Sequence, residues 1–293
     1  YISLIVFIGL LAGRKQKSTK SYFLGDGKIS WIMISFSVVA TETSVLTFLS
    51  IPGVAYITNF GFLQVAIGYI IGRIVVAWFF LPRYYSEGIQ STYQFIGNKW
   101  GVGFQRFVSS VFLIMRVLAD GVRLFMTAIP LTLITGWSFN FSILVIGLVT
   151  LIYTLIGGIR SVIYTDTFQF ILYIFGAFIT FNVINNLEPG GFSNIRSILM
   201  DANKLSIFQG LPNSIIELFT MPYNFIAAIF GGFLLSLASH GTDHLMVQRL
   251  LSAETIRDSQ KALLLSGLLV FFQFAVFLFL GAMMWVLYDG IPI

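Results

Sequence analysis

SVVATETSVLTFLSIPG, residues 37–53, is the stretch on which the reading of this chain turns. It lies inside an apolar run long enough to cross a bilayer, which takes about 20 mostly apolar residues. Yet Thr41, Glu42, Thr43, Ser44 and Thr47 crowd its middle. Hydroxyl groups re-satisfy backbone where a membrane helix unwinds. An unwound stretch frees carbonyl oxygens, and carbonyl and hydroxyl oxygens are ligands for hard cations. Discontinuous helices of this kind build the ion and solute sites of many secondary transporters. Thr and Ser packed between continuous helices give a similar pattern. A carboxylate at membrane depth costs a few kcal/mol, roughly 3, which makes Glu42 a functional candidate in its own right.

The rest of the chain agrees with a membrane setting. Of 293 residues, 57% are hydrophobic and 10% charged, and the mean hydropathy is +0.89. So few charges cannot cover a soluble protein of this size, and so apolar a chain is not disordered. There is no Cys, which excludes disulfides, thiolate metal sites and Cys nucleophiles. Apolar runs predict a partial span at 1–12 and spans near 29–57, 60–82, 107–135, 139–158, 164–187, 216–248 and 260–288. The chain opens with Tyr1 inside an apolar run and stops at Ile293 just after another, so both ends read as cut from something longer.

The net charge of +5 is a topology code and not a nucleic-acid face. Arg14, Lys15, Lys17, Lys20, Lys28, Arg83, Lys99, Arg106, Arg160, Arg249, Arg257 and Lys261 fall in loops on one side, and only Arg196 and Lys204 on the other. The expectation is an integral protein of the plasma (inner) membrane, with its N-terminus outside, the 13–28 loop cytoplasmic and the 188–215 loop extracellular.

Three basic residues are left at membrane depth. Arg116, Asp120 and Arg123 share one helix face, so Asp120 can pair with either arginine. They read as a structural charge cluster, with an arginine freed to meet an anionic solute as the alternative. Arg73 reads as a buried residue in need of a partner. A second polar stretch, GGFLLSLASHGTDHLMVQRLLSAETIRD, spans 231–258. Gly231, Gly232 and Gly241 weaken its helix. His240, Asp243 and His244 have a metal-face spacing without a clear ligand set.

Four segments resemble the sodium:solute symporter family. KSTKSYFLGDGKISW (17–31) and SVVATETSVLTFLSIPGVAY (37–56) look like the approach to its first core helix and that helix, with its A-T-x-x-S pattern. YTLIGGIRSVIYTDTFQ (153–169) is similar to its G-G-x-x-[AS]-V-x-[WY]-T-D-x-x-Q motif, and GTDHLMVQRLLSA (241–253) to its [GST]-[DN]-[QH]-x-x-[VI]-Q-R motif. The resemblance covers nearly the whole chain.

It implies an all-α polytopic protein of the LeuT type, with two inverted five-helix repeats and discontinuous helices. Residues 1–12 would end an extra N-terminal helix, 29–187 form the complete first repeat, and 188–215 an extracellular loop. Residues 216–289 would be the first two helices of a truncated second repeat. The implied activity is sodium-coupled symport of a small polar organic solute (sugar, monocarboxylate, vitamin or amino-acid class) by alternating access. A non-transporting sensor or channel-like member of the fold is the alternative. A membrane-embedded metal enzyme on His240, Asp243 and His244 is a remote one, so no enzyme is expected. No cofactor is implied beyond Na+ as coupling ion; the partners are sodium, the solute and the lipid bilayer.

By the same resemblance, sodium would meet backbone oxygens at Ala40 and Thr43, and a second sodium the carboxylate of Asp166. A carboxylate placed near a helix N-terminus is the other reading of Asp166. Solute contacts would come from Glu42, Ser44, Thr47, Gln64, Ser236, Ser239 and His240. Sugar-transporting relatives carry Asn where Glu42 stands and an aromatic residue where Ser239 stands, and this chain departs from both.

Overall fold

A computed structural model describes residues 2–13, 18–25, 29–89 and 91–291. Tyr1, Arg14, Lys15, Lys17, Lys28 and Ile293, with residues 14–17 and 26–28 of the expected 13–28 loop, lie outside the described residues. The described chain is helical: α1 (Ile2–Gly13), α2 (Thr19–Leu24), α3 (Trp31–Glu42), α4 (Val45–Ile57), α5 (Leu63–Val75), α6 (Leu81–Ser86), α7 (Thr92–Trp100), α8 (Val102–Thr135), α9 (Phe139–Leu187), α10 (Gly191–Asp201), α11 (Ile215–Thr220), α12 (Phe225–Ser236), α13 (His244–Leu251) and α14 (Ile256–Leu287). Two π-helical segments, Val76–Phe80 and Leu237–Thr242, join α5 to α6 and follow α12.

Among the described residues, five helices are long and apolar enough to cross a membrane, and the bent pair α3–α4 makes a sixth. The expected 139–158 span is a shorter apolar stretch, Phe139–Ile152. It runs into the next helix through Gly158, whose φ of 55° and ψ of −156° only glycine adopts without strain. The expected 216–248 span begins later, at Phe225, because α11 is a separate turn of helix that ends at Thr220. The apolar surface faces outward: Val117, Leu118 and Leu133 of α8 are 71%, 64% and 80% exposed. Lipid is the solvent that accommodates such a surface.

Helix α14 is the centre of the bundle, packing on α3, α4, α5 and α9. Its Val270, Phe274, Phe277 and Met283 are buried with Val39, Ala55, Leu63 and Phe170 in one apolar core. A second core gathers Ile34, Val38, Leu81, Ile163, Val247 and Leu263 around α13. Helices α5 and α12 touch backbone to backbone at Gly68 and Gly232, where an added Cβ would run into Val65 O or Ile229 O. This corrects the expectation that Gly231 and Gly232 weaken the helix. Both remain inside α12, and at Gly232 the loss of backbone entropy is offset by close packing. Irregularity comes instead six residues later, in the π segment.

Candidate functional site

The first polar stretch breaks where its hydroxyls crowd. Thr43 (φ −85°, ψ 96°) and Ser44 (φ −99°, ψ 174°) are extended, and the two halves of the span are bent by 65°. In a continuous helix Ser44 N–H would bond Ala40 O; here it donates to Thr47 Oγ1 at 3.4 Å. Thr47 Oγ1 in turn donates to Glu42 O at 3.3 Å. The sequence reading therefore holds in physical detail: Ser44 and Thr47 repair the break, and the repair leaves Ala40 O without its helical donor. Ala40 and Thr43 line a cavity of about 70 Å³ with Gln169, Phe170 and Tyr173 of α9. A wider groove continues past Ser44, Phe48 and Gly176. From α14, Gln273 Nε2 donates to Thr43 Oγ1 at 2.7 Å.

Glu42 points away from this cavity into a buried polar cluster. Its carboxylate pairs with Arg73 of α5 through Nη2 and with His240 of the π segment, Oε1 to Nε2 at 2.9 Å. Arg73 Nη2 also lies 3.0 Å from His240 Nε2. Both Arg73 and His240 are fully buried. Arg73 has thus found the partner its depth required, and the broken end of α3, helix α5 and the π segment meet on one ion pair.

Asp166 belongs to a different cluster. Its Oδ2 accepts from Ser37 Oγ at 2.6 Å, from Arg249 Nη2 at 3.2 Å and from Thr41 Oγ1 at 3.5 Å. Arg249 Nε donates to Ser37 Oγ at 3.1 Å and its Nη1 to Leu245 O at 2.9 Å. The helix-terminus reading of Asp166 fails, because the helix resumes just after Gly158 and Asp166 lies two turns into it. Arg249, counted with the loop charges, is instead 8% exposed and paired.

The remaining expected contacts are dispersed. Gln64 Nε2 donates to Tyr223 O at 2.7 Å and fastens α5 to the segment before α12. Ser236 is buried against Gly72. Ser239 Oγ meets Leu235 O at 2.8 Å and His240 Nδ1 at 2.9 Å. Arg116 Nε and Arg123 Nη1 hold Asp120 at 2.8 and 3.3 Å, and Arg116 Nη1 reaches Asp243 Oδ2 at 3.7 Å, tying α8 to the start of α13.

The metal-face reading of His240, Asp243 and His244 fails on geometry. It assumed one continuous helix, but Asp243 is extended and caps α13, its Oδ1 accepting from Leu245 N and Met246 N. Among the described residues no three His, Cys, Asp or Glu side chains are grouped to hold a metal. Sequence reasoning missed Gln273, Gln169 and Tyr173. Gln273 had a signal, being a lone amide inside a strongly apolar run of α14.

A family model for the sodium:solute symporter family matches residues 22–290. The sodium/sialic acid symporter NanT of Aliivibrio fischeri is 30% identical over 273 residues, 92% of this chain and 52% of that protein. The human sodium-coupled monocarboxylate transporter 2 is 26% identical over 266 residues, 90% of this chain and 42% of its own length. A solved structure of a Na+-coupled sialic acid symporter in a substrate-bound outward-open state superimposes with a TM-score of 0.87 at 25% identity, covering 99% of this chain and 60% of that one. The chain spans about half the length of the curated relatives it matches. The fold is accordingly the LeuT-type helical arrangement that the motifs imply.

Proposed function

The chain belongs to the sodium:solute symporter family, and from that premise we propose that the protein containing it is a sodium-coupled secondary active symporter of a small polar organic solute. The observation that carries the reading is the break at Thr43–Ser44. Ala40, whose carbonyl loses the Ser44 N–H as its helical donor there, lines a cavity with Gln169 and Tyr173. Carbonyl and hydroxyl oxygens at such a break suit a hard monovalent cation.

In this reading Ala40 and Thr43 give sodium its backbone ligands, and Gln273 steadies the Thr43 side chain. Asp166 is a second sodium ligand only when its carboxylate has a free oxygen. Oδ2 is taken by Ser37 and Arg249, so sodium would enter at Oδ1 or in competition with Arg249. Ser44, Thr47, Ser236 and Ser239 offer hydroxyls to the solute. Glu42, Gln64 and His240 act through the bonds they make to neighbouring segments. Relatives named for sialic acid, monocarboxylates and multivitamins support a polar solute with a carboxylate or hydroxyls, and a relative named for iodide adds a small inorganic anion to that range.

Residues 29–187 form the first repeat, 188–215 an extracellular loop and 216–289 the first helices of the second. The proposed setting is the plasma (inner) membrane, and the one-sided basic residues support an orientation with the 13–28 loop cytoplasmic. Sodium favours one arrangement of the bundle by differential affinity, and that preference couples its gradient to the solute. The test is uptake of labelled sialic acid and of a labelled monocarboxylate by the protein that contains this chain, with and without sodium. Sodium-driven accumulation of either, weakened in Thr43→Ala because the hydroxyl held by Gln273 is gone, supports the reading. Uptake indifferent to sodium, with Thr43→Ala and Asp166→Ala both silent, refutes it.

A further inference from the structure

Lys204 reads in the sequence as a loop charge, yet it is only 9% exposed. It follows α10, where Asn203 turns the chain with a φ of 54° and Lys204 N–H closes on Leu199 O at 3.0 Å. The side chain reaches the end of α4 remote from the break. Its ammonium donates to Tyr56 O at 2.7 Å and to Ala55 O at 3.5 Å, and lies 4.6 Å from the centre of the Trp285 ring of α14. An ammonium only donates and a carbonyl only accepts, so the sense of these bonds needs no assignment.

The last carbonyls of a helix have no donor within the helix, and a cation is favoured there. In α4, Thr58 N–H meets Val54 O at 2.8 Å, and Lys204 meets the next two carbonyls. The same loop grips the turn between α4 and α5 through neutral bonds. Phe60 N–H donates to Ser206 O at 3.2 Å, and the side-chain amides of Asn59 and Gln209 pair at 3.1 Å. Lys204 adds a charged bond to these, at the point where α4, α10 and α14 meet.

At its other end α4 starts from the extended Thr43 and Ser44, so it is a half-helix hinged on a break. Its 13 residues span about 20 Å. A swing of about 10° on the hinge carries the remote end about 3 Å, more than a hydrogen bond tolerates. We propose that Lys204 is a latch: its ammonium holds the remote end of α4 to α10 and α14, and the half-helix swings only when the ammonium leaves the two carbonyls.

The test uses the protein that contains this chain, in lipid nanodiscs. A water-soluble amine-acylating ester is followed by mass spectrometry, with Lys261, whose side chain is 60% exposed, as the reference. Lys204 should label at least about tenfold more slowly than Lys261, yet well before the protein unfolds, because a latch opens locally. Labelling as fast as Lys261 overturns the proposal, and so does labelling only on global unfolding, which marks a fixed prop. Amide hydrogen exchange over residues 53–62 gives the second readout. Lys204→Met keeps the length of the side chain and loses the charge, and should speed that exchange about tenfold, the equivalent of one charge-assisted hydrogen bond. Lys204→Arg keeps the charge and should stay within about threefold of the parent. Exchange unchanged in Lys204→Met, or raised equally in both variants, overturns the latch. Where Lys204→Met fails to fold, the labelling of the parent decides. Neither measurement reads transport, so the symport reading stands or falls separately.

Discussion

Breaking the Asp166–Arg249 pair should expose how strongly α9, α3 and α13 are held together. Asp166 and Arg249 have side chains 14% and 10% exposed, 3.2 Å apart, with Ser37 donating to the carboxylate at 2.6 Å and accepting from Arg249 at 3.1 Å. Removing one member of a buried pair leaves the other charge uncompensated, which costs about 3–5 kcal/mol. Ser37 still serves whichever partner remains, so the low end applies: about 3 kcal/mol each for Asp166→Asn and Arg249→Gln. The double variant leaves no buried charge and should lose only about 3–4 kcal/mol. The resulting coupling is about 2–3 kcal/mol. Unfolding in mixed micelles, followed through the five tryptophans, measures all four corners of the cycle. Arg196→Gln, on the exposed face of α10, is the control and should change stability by under about 0.5 kcal/mol. Single losses that simply add, with coupling below about 0.5 kcal/mol, would show that the pair is not a unit and refute the reasoning.

Other outcomes follow from the same contacts. Gly232→Val puts a branched side chain against the Val65 carbonyl and should destabilise the α5–α12 contact by about 1–3 kcal/mol, seen as a lower melting temperature in detergent. Gln273→Leu removes the 2.7 Å bond to Thr43 and should weaken sodium protection of the fold against heat more than it lowers stability without sodium. Arg249→Gln should tighten any sodium protection that depends on Asp166, because it removes the competing cation; weaker protection would count against Asp166 as a ligand. His244 lies beyond the end of α12 and its π segment, and burial holds its imidazole below the usual histidine range despite the opposing pull of Asp243. The unfolded chain then takes up this proton first, so stability falls as pH drops below about 6.5. His244→Gln should flatten that fall in a pH series of melting temperatures.

The break in α3–α4 was legible because its cause is local. Thr41, Thr43, Ser44 and Thr47 offer the backbone other hydrogen bonds within a few residues, and the Ser44–Thr47 bond is one of them. The span order was legible for the same reason, since hydropathy is written residue by residue. What escaped were interactions fixed by distant packing. Arg249 sits among polar neighbours at a helix end, which looks like a loop charge; its partner is 83 residues away on α9. Gly241 marked the 237–242 stretch as weak, but the π form depends on packing: the Gly241 carbonyl is held by Tyr84, 157 residues away. Gly232 looks like a helix breaker until Gly68 is placed opposite it.

The last turn of α3 is pinned on two faces before the chain breaks. Ser37 and Thr41, one helical turn apart, face Asp166 and Arg249 of α9 and α13. Glu42, about a quarter-turn further round, faces Arg73 and His240 of α5 and the π segment. Thr43, the next residue, is held from α14 by Gln273. The side chains of this turn thus read the positions of five other segments, and the carbonyl of Ala40 lies within that span. A cation bound there would feel any shift of α3 against α5, α9 or α14, because each shift breaks a charged or buried hydrogen bond worth about 1–3 kcal/mol. That is the size of a coupling energy between two sites. Ion occupancy at that carbonyl would then be linked to helix arrangement through three named contacts rather than through the bundle at large, and removing Ser37, Arg73 or Gln273 should loosen the link one face at a time.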